Sequence, residues 1–305
     1  VSTNTDGSGK WEYTLNNTAS QVQALANGET HTVEYQIQVD DGQGGLTTET
    51  VSIEITGTND EPVVSGQSTG LVKEDTATQS EAEGQLTVDD VDLIDVHAWS
   101  VGSNSGTYGS IAIDPVTGKW VYTIDNTLST TQGLTEGQSV EDKFTVTVDD
   151  NQGGTDTIEI VITVVGTNGV PVIGGDTVGD VTEDMTLTTT GTLTATDEDA
   201  TSSFNWDIVG SDTSTYGKFT LDAATGVWLY TLDNDAAQSL GAGDDPIKEY
   251  YTVELSDGAG GVITETIEIT INGTNDLPEL SGQATGTVKE DSIETTEGQL
   301  IVDDI

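Results

Sequence analysis

The sequence of 305 residues carries 54 acidic and 7 basic side chains, a formal net charge of −47, and no cysteine. Phosphate groups are bound by clustered lysine and arginine, so this composition argues against nucleic acid as a partner and against an anionic membrane surface. Without cysteine there is neither a disulfide framework nor a thiolate metal site. Self-repulsion of this size predicts that divalent cations, a salty medium or both neutralise the folded chain.

No segment has the length of a membrane-spanning helix. The longest apolar stretch, residues 158–165, is far shorter than the roughly 20 apolar residues that such a helix needs. We therefore expect no direct insertion into a membrane. The chain opens at Val1 with neither an initiator methionine nor a signal-peptide pattern, and we expect it to be a piece of a longer protein.

One sequence motif occurs three times along the chain. It reads GTNDEP at residues 57–62, GTNGVP at 166–171 and GTNDLP at 273–278, with spacings of 109 and 107 residues. A motif that recurs at intervals of about one domain length indicates tandem domains. We therefore divide the chain into repeat 1 (1–60, the C-terminal part of a unit), the complete repeats 2 (61–168) and 3 (169–275), and repeat 4 (276–305, the N-terminal part of a unit).

Apolar residues alternate with polar ones within each repeat, which predicts β-strands with one buried face. In repeat 2 these runs lie near Leu71 and at residues 86–88, 96–101, 111–113, 120–124, 144–148 and 158–164. Seven short strands in a unit of this size predict an all-β chain of tandem immunoglobulin-like β-sandwiches. Residues 130–137 are predicted to hold one helical turn with Leu134 inward, like Leu25 in repeat 1.

The five tryptophans recur at two positions of the repeat. Trp11, Trp120 and Trp228 occupy one position, and Trp99 and Trp206 occupy the other. Exposed aromatic platforms could bind sugars, but each tryptophan lies in an alternating strand beside valine, isoleucine or tyrosine. We therefore predict that the tryptophans pack in the cores.

The acidic residues concentrate at the junctions between repeats and at strand ends. An acidic pair follows a valine at the start of each unit, Asp-x-Asp comes one strand later, and aspartate precedes a Gly-Gly turn. Such hard oxygen ligands favour calcium, whereas magnesium keeps its waters and zinc prefers histidine or cysteine. A solvated acidic surface is the alternative, and it explains the total charge but not the recurrence. His31 and His97 do not recur in register and are interpreted as incidental.

The order of these motifs resembles a cadherin-type domain. Three phrases resemble, more specifically, the VCBS repeat, a bacterial cadherin-like unit of large RTX-type surface adhesins: TYGSIAIDPVTGKWVYTIDNT at residues 107–127, DDGQGGLTTETVSIEITGTNDEP at 40–62 and GQLTVDD at 84–90. The resemblance covers essentially the whole chain. It implies cadherin-like sandwiches in a linear array, with Ca²⁺ between successive units held by ligands from the first unit, the linker and the next unit.

Transferred residue by residue, the resemblance implies a ligand set at each junction. The first junction, between repeats 1 and 2, would use Asn59, Asp60, Asp90, Asp92 and either Asp149 or Asp150. The second junction would use Glu74, Asp125, Asn168, Asp197, Asp199 and Asp257. The third junction would use Glu183, Asp233, Asn275, Asp276 and Asp303. The second junction reads Asn168-Gly169 and lacks an acid there, so we expect a weaker site or fewer ions.

The resemblance implies a calcium-rigidified extender region of a secreted or surface-bound bacterial adhesin of biofilms, which projects a distal binding domain. Its partners would be the neighbouring repeats and, through domains outside this sequence, surface polysaccharide or other cells. One alternative is a carbohydrate- or protein-binding β-sandwich module of a secreted protein. Another is an enzyme with paired carboxylates, but no Ser-His-Asp set, HExxH motif or phosphate loop is present, so we assign no catalytic residue.

Overall fold

The computed structural model describes residues 2–3, 9–199, 203–292 and 295–303. Strands hold 51% of the chain and helices 4%, which confirms the all-β prediction. The chain divides into an N-terminal compact unit, Val1–Gln132 with Gly137–Thr167, and a C-terminal compact unit, Gly133–Glu136 with Asn168–Ile305. Among the described helices, none combines the length and apolar character that crossing a membrane requires.

The N-terminal unit contains the strands of repeats 1 and 2. Repeat 1 contributes β1 (Ser2–Thr3), β2 (Gly9–Lys10), α1 (Ser20–Gln23), β3 (Thr30–Asp40) and β4 (Leu46–Thr56). Repeat 2 contributes β5 (Val63–Gly66), β6 (Thr69–Lys73), β7 (Glu81–Asp89), β8 (Ala98–Val101), β9 (Gly109–Ile113), β10 (Lys119–Ile124), α2 (Ser129–Gln132), β11 (Ser139–Asp149) and β12 (Thr155–Val165).

The C-terminal unit contains the strands of repeats 3 and 4. Repeat 3 contributes β13 (Val172–Gly175), β14 (Val178–Thr182), β15 (Thr188–Thr196), β16 (Asn205–Val209), β17 (Gly217–Leu221), β18 (Val227–Leu232), α3 (Asn234–Ala237), β19 (Ile247–Ser256) and β20 (Val262–Asn272). Repeat 4 contributes β21 (Glu279–Gly282) and β22 (Leu300–Asp303).

Each complete repeat folds into two four-stranded sheets. The strand orders are β5-β7-β10-β9 and β6-β12-β11-β8 in repeat 2, and β13-β15-β18-β17 and β14-β20-β19-β16 in repeat 3. The first strand of the second sheet pairs in parallel with the last strand of the repeat, as β6 does with β12 and β14 with β20. Inward and outward residues alternate along these strands, so the apolar half of each strand forms the core.

Repeat 2 has one strand more than the seven that its sequence predicts. The additional strand is β5, which pairs with β7 and whose residues are exposed apart from the half-buried Val64. A strand without a buried face shows no apolar alternation, and for that reason the pattern does not reveal it. The run predicted to begin at residue 96 begins at Ala98, because Val96 lies in the preceding loop and is 73% exposed.

Four of the five tryptophans pack in the cores as predicted, and they are Trp99, Trp120, Trp206 and Trp228. Trp120 is fully buried, and its indole N–H donates to the carbonyl oxygen of Gln67 at 2.8 Å. The prediction is wrong for Trp11, which is 49% exposed. The described part of repeat 1 contains no counterpart of β5–β8, so the strands equivalent to β6 and β7, which lie against the ring of Trp120 in repeat 2, are absent beside Trp11.

The predicted helical turn is present in repeat 2 and starts slightly earlier than expected. The helix α2 covers Ser129–Gln132, and Leu134 follows it as a buried residue. Leu25 is buried after α1 in the same way. The irregular stretch therefore directs one leucine inward in both repeats.

Candidate metal centre

Three segments of the N-terminal unit form the first junction. They are the linker between β4 and β5, the loop between β7 and β8, and the turn between β11 and β12. Asn59 Nδ2 donates to Asp150 Oδ2 at 2.8 Å, and the backbone N–H of Asp60 donates to Asp92 Oδ2 at 2.8 Å. The linker is therefore held against repeat 2 through residues that the sequence predicts as ligands.

Three carboxylates converge beside these contacts. Asp90, Asp95 and Asp150 each offer one oxygen, and these oxygens lie within 4.8 Å of one another. The backbone N–H of Asp92 donates to Asp90 Oδ1 at 3.0 Å, which brings a fourth carboxylate to the group. Asp92 is 2% exposed and Asp150 is fully buried. Like charges at this spacing and burial repel one another, and a cation among them would relieve that repulsion.

Several oxygens at this junction are buried and accept no hydrogen bond. They are Asn59 Oδ1, Asp92 Oδ1 and Asp95 Oδ2. A buried acceptor without a partner costs about 1–3 kcal/mol, and more when the group is charged. Carboxylate and amide oxygens are the donors that calcium takes in proteins. The residues present therefore fit a calcium ion.

The environment shifts the pKa values of two of these carboxyls in opposite directions. Burial raises the pKa of Asp95, and the nearby Asp92, Asp90 and Asp150 raise it further. Burial would also raise the pKa of Asp150, but hydrogen bonds from Asn59 and from the backbone of the following turn outweigh it, and the pKa lies below the usual value. Asp150 is thus held as a carboxylate inside the protein.

The imidazole of His97 contacts the same group. Its Nε2 lies 2.9 Å from Asp90 Oδ2, and the side chains of His97 and Asp90 are 18% and 3% exposed. The interpretation of His97 as an incidental residue is therefore wrong, because it donates to a carboxylate of the cluster. His31, in contrast, lies exposed in β3.

The structure distinguishes Asp150 from Asp149. Asp149 is exposed, and its Oδ1 accepts the backbone N–H of Asn151 at 2.7 Å. Asp150 points inward and accepts from Asn59 as well as from the backbone N–H of Gly154 at 2.9 Å. Asp150 is therefore the residue of the pair that reaches the junction.

The C-terminal unit repeats this geometry at the second junction. Asn168 Nδ2 donates to Asp257 Oδ2 at 2.8 Å, and the backbone N–H of Gly169 donates to Asp199 Oδ2 at 3.0 Å. The backbone N–H of Asp199 donates to Asp197 Oδ1 at 3.0 Å. Each bond has its counterpart at the first junction, so the two linkers are fastened by the same two contacts and the two Asp-x-Asp motifs share the same internal bond.

The second junction also contains buried acceptors and open space. Asn168 Oδ1 and Asp197 Oδ2 are buried without a hydrogen-bond partner. A cavity of about 110 Å³ is lined by Asn168, Asp199 and Asp257 together with parts of three neighbouring segments. Burial raises the pKa of Asp199 even though the backbone N–H of Gly169 lowers it. These residues fit a cation, with one acid fewer in the linker.

The glutamates of the acidic pairs in repeats 2 and 3 turn inward, and each holds the end of its own repeat. Glu74 is 2% exposed and its Oε2 accepts the backbone N–H of Thr167 at 3.1 Å. Glu183 is fully buried and its Oε1 accepts the backbone N–H of Thr274 at 2.7 Å, while its Oε2 has no partner. Burial raises the pKa of Glu183, and Asp276 and Asp184 raise it further. Asp276 Oδ2 is also buried without a partner.

Asp125 and Asp233 hold the backbone of the turns that follow them. Asp125 Oδ1 accepts the backbone N–H of Thr127 at 2.9 Å and its hydroxyl at 2.6 Å, and these bonds lower the pKa of Asp125. Asp233 caps α3 by accepting the backbone N–H of Ala236 at 3.4 Å. The structure therefore gives both aspartates a local role.

Two predicted ligands of the third junction, Asn275 and Asp303, are exposed. Asn275 Nδ2 donates to the carbonyl oxygen of Asp276 at 2.9 Å, and Asn275 is not fully buried. Asp303 is exposed at the end of β22, where it pairs with Glu279 as Asp89 pairs with Val63. The register thus aligns Asp303 with Asp89, an exposed residue, and not with the Asp-x-Asp motif.

Sequence reasoning missed Asp95 because it selected acids that recur. Counting from the shared tryptophan, Asp95 aligns with Ser202 and His97 with Phe204, so neither residue returns in repeat 3. One feature of the sequence does point to Asp95. It is the third aspartate in Asp90-Val91-Asp92-Leu93-Ile94-Asp95, a segment that places three acids on one short loop between two strands.

A family model described as bacterial cadherin-like domain matches residues 59–166 and 168–273. The division of the chain at residues 60, 168 and 275 stays our prediction. No curated protein matches the sequence.

Two solved cadherin structures are similar to this chain at low sequence identity. A protocadherin gammaB7 EC3-6 cis-dimer structure is 16% identical with a TM-score of 0.47, and the match covers 92% of this chain and 64% of that one. A structure of mouse cadherin-23 EC22-24 is 17% identical with a TM-score of 0.45, and the match covers 80% of this chain and 79% of that one.

Proposed function

The chain belongs to the family of bacterial cadherin-like domains, and from this premise we propose that it is a calcium-rigidified extender region of a bacterial surface adhesin. Its repeats space a distal binding domain away from the cell. Calcium binds where successive repeats meet and fixes the angle between them. The protein works outside the cell, and its direct partners are its own neighbouring repeats.

One observation carries this proposal. The buried oxygens that lack hydrogen-bond partners include Asn59 Oδ1 and Asp92 Oδ1 at the first junction and Asn168 Oδ1 and Asp197 Oδ2 at the second. These atoms belong to linker and Asp-x-Asp residues that the sequence singles out as ligands. A merely solvated acidic surface would leave such oxygens facing water, where they need no partner.

Each bound calcium ion stabilises the folded state by a modest free energy, and the contributions of successive junctions add. Extracellular calcium modules have dissociation constants of about 10⁻⁴ to 10⁻³ M. At about tenfold to a hundredfold excess over the dissociation constant, one ion stabilises the folded state by roughly 1.4–2.7 kcal/mol. Along an array in which each repeat contacts only its neighbours, such increments add.

The alternative of a carbohydrate-binding module has less support. Trp99, Trp120, Trp206 and Trp228 are all buried, so they are not available as platforms for a sugar. The acids also recur at each junction with the same backbone contacts, and a single catalytic pair would not require that repetition.

Thermal unfolding of the full chain with calcium tests the proposal. We expect millimolar calcium to raise the melting temperature over that in a chelator, while the same concentration of magnesium raises it much less because magnesium retains its waters. A melting temperature that responds equally to calcium, magnesium and an equivalent ionic strength of sodium chloride would support the solvated acidic surface instead.

A further inference from the structure

The loop between β7 and β8 differs in chemistry from its counterpart in repeat 3. It reads DVDLIDVH at residues 90–97, whereas residues 197–204 read DEDATSSF. The Asp-x-Asp motif is common to both loops. Asp95 and His97 are specific to the first, where they align with serine and phenylalanine.

Asp95 lies within the group of converging acids at the first junction. One of its oxygens is within 4.8 Å of oxygens of both Asp90 and Asp150. Its Oδ2 is buried and accepts no hydrogen bond. Asp92, which is 2% exposed, presents a second buried oxygen without a partner, Oδ1. Two independent orphaned acceptors therefore accompany the converging carboxylates, and this is more than an acidic cluster alone.

The loop that carries Asp95 is fastened on both sides of this residue. His97 Nε2 donates to Asp90 Oδ2 at 2.9 Å, which closes the loop across its ends. Asn151 Nδ2 donates to the carbonyl oxygen of Val96 at 2.5 Å, which attaches the loop to the turn after β11. Asp95 is thus held at the cluster by contacts of its neighbours, although its own Oδ2 has no partner.

We propose that Asp95 is an additional calcium ligand that makes the first junction bind calcium more tightly than the second. The inference rests on the proposed function and extends it. The first junction has carboxylates at two positions, Asp60 and Asp95, where the second has Gly169 and Ser202. Calcium affinity depends on the number of charged ligands and on the rigidity of the site. As calcium falls, the second junction therefore loses its ion first, and the array loosens at that linker before it loosens at Asn59.

Calcium titration calorimetry of the full chain tests this proposal with three variants. Asp95→Asn removes the charge at nearly constant shape, and Asp95→Ser installs the residue of repeat 3. Asp89→Asn is the matched control, because Asp89 is exposed at the end of β7 and the variant makes the same change in net charge. Circular dichroism confirms that each variant is folded before titration.

We expect both Asp95 variants to weaken the tightest class of calcium sites about tenfold or to abolish one ion of the stoichiometry. Asp89→Asn should stay within about twofold of the parent chain, the change that long-range charge alone produces. If the parent chain binds calcium and Asp95→Asn titrates like Asp89→Asn, the role of Asp95 is refuted while the proposed function stands. If the parent chain binds no calcium, the proposed function fails and the role of Asp95 fails with it.

Discussion

Asp142 lies inside the sandwich of repeat 2 with only 3% of its surface exposed. It accepts the backbone N–H of Thr107 at 2.8 Å, the backbone N–H of Tyr108 at 3.0 Å and the hydroxyl of Tyr122 at 2.8 Å. These bonds tie the loop before β9 to the inner face of β11. Because three donors satisfy the carboxylate, it is a structural part of the core and not a further metal ligand.

Glu249 has the same role in repeat 3. It accepts the backbone N–H of Tyr216 at 2.9 Å, the hydroxyl of Tyr230 at 2.8 Å and the hydroxyl of Tyr251 at 3.1 Å. Burial raises the pKa of Tyr251 to about 12, so the hydroxyl remains a donor at neutral pH. The conserved geometry in two repeats indicates that the sandwich needs an acid at this position.

Replacement of Asp142 tests its structural role. We expect Asp142→Ala to lower the free energy of unfolding by about 3 kcal/mol, because it leaves two backbone N–H groups and the buried hydroxyl of Tyr122 without their acceptor. Tyr122→Phe, which removes a single donor, should cost about 1 kcal/mol. Urea unfolding in calcium measures both changes.

Glu141 provides the control on the same strand. It is exposed and its Oε2 lies 3.1 Å from Lys143 Nζ, an ion pair on the surface. Glu141→Ala should change the free energy of unfolding by about 0.5 kcal/mol or less, because exposed pairs contribute little. An Asp142→Ala variant as stable as Glu141→Ala would refute the buried role of Asp142.

The sequence pattern does not reveal the role of Asp142. Asp142 stands in the inward register of β11, two residues before Phe144 and four before Val146. An acidic residue at an inward position suggests that the alternating apolar run of the strand has ended. The hydroxyl that donates to this acid comes from Tyr122, 20 residues away in sequence. Single-strand patterns do not contain that partner, so only the fold explains why the acid is tolerated.

A glycine in β7 and another in β15 allow the strand backbone to pack directly against a core tryptophan. A Cβ atom on Gly84 would lie 2.5 Å from the ring of Trp120, and one on Gly191 would lie 2.5 Å from the ring of Trp228. These strands cross directly over the indole, and no side chain fits between backbone and ring. The recurrence of both residues in the sequence thus reflects one packing requirement.

Alanine substitution tests this close approach. We expect Gly84→Ala to lower the free energy of unfolding by about 1–3 kcal/mol, because the ring of Trp120 is fully buried and has no room to move. Gly102→Ala is the matched control, since a Cβ there meets nothing nearer than 3.8 Å. Equal stability of the two variants by urea unfolding would contradict the packing argument.

The elements that alternation predicts are those with one buried face. The long hairpin of β11 and β12 and the tryptophan strand β10 were evident from the sequence, because their apolar residues point to one core. The edge strand β5 was not, because it buries almost nothing. The same limit applies to the site: recurrence revealed Asp92 and Asp199, whereas Asp95 occurs once and emerged only when the structure brought it beside Asp90 and Asp150.

The net charge of the whole molecule must be neutralised before its repeats can align. A formal charge of −47 opposes any compact or aligned arrangement of the repeats unless cations neutralise it. Monovalent salt would screen all acids alike, whereas calcium would act at the junctions where buried oxygens lack partners. Calcium should therefore change how the repeats are held together more than it changes any single sandwich.

Small-angle X-ray scattering of the full chain, in millimolar calcium and then in chelator at matched ionic strength, measures whether calcium stiffens the linkers. We expect a larger maximum dimension and a narrower distribution of interatomic distances in calcium, because bound ions restrict bending at the linkers. Magnesium at the same concentration should reproduce little of this change. Scattering curves that superimpose with and without calcium, from a protein that stays folded in both, would contradict the account.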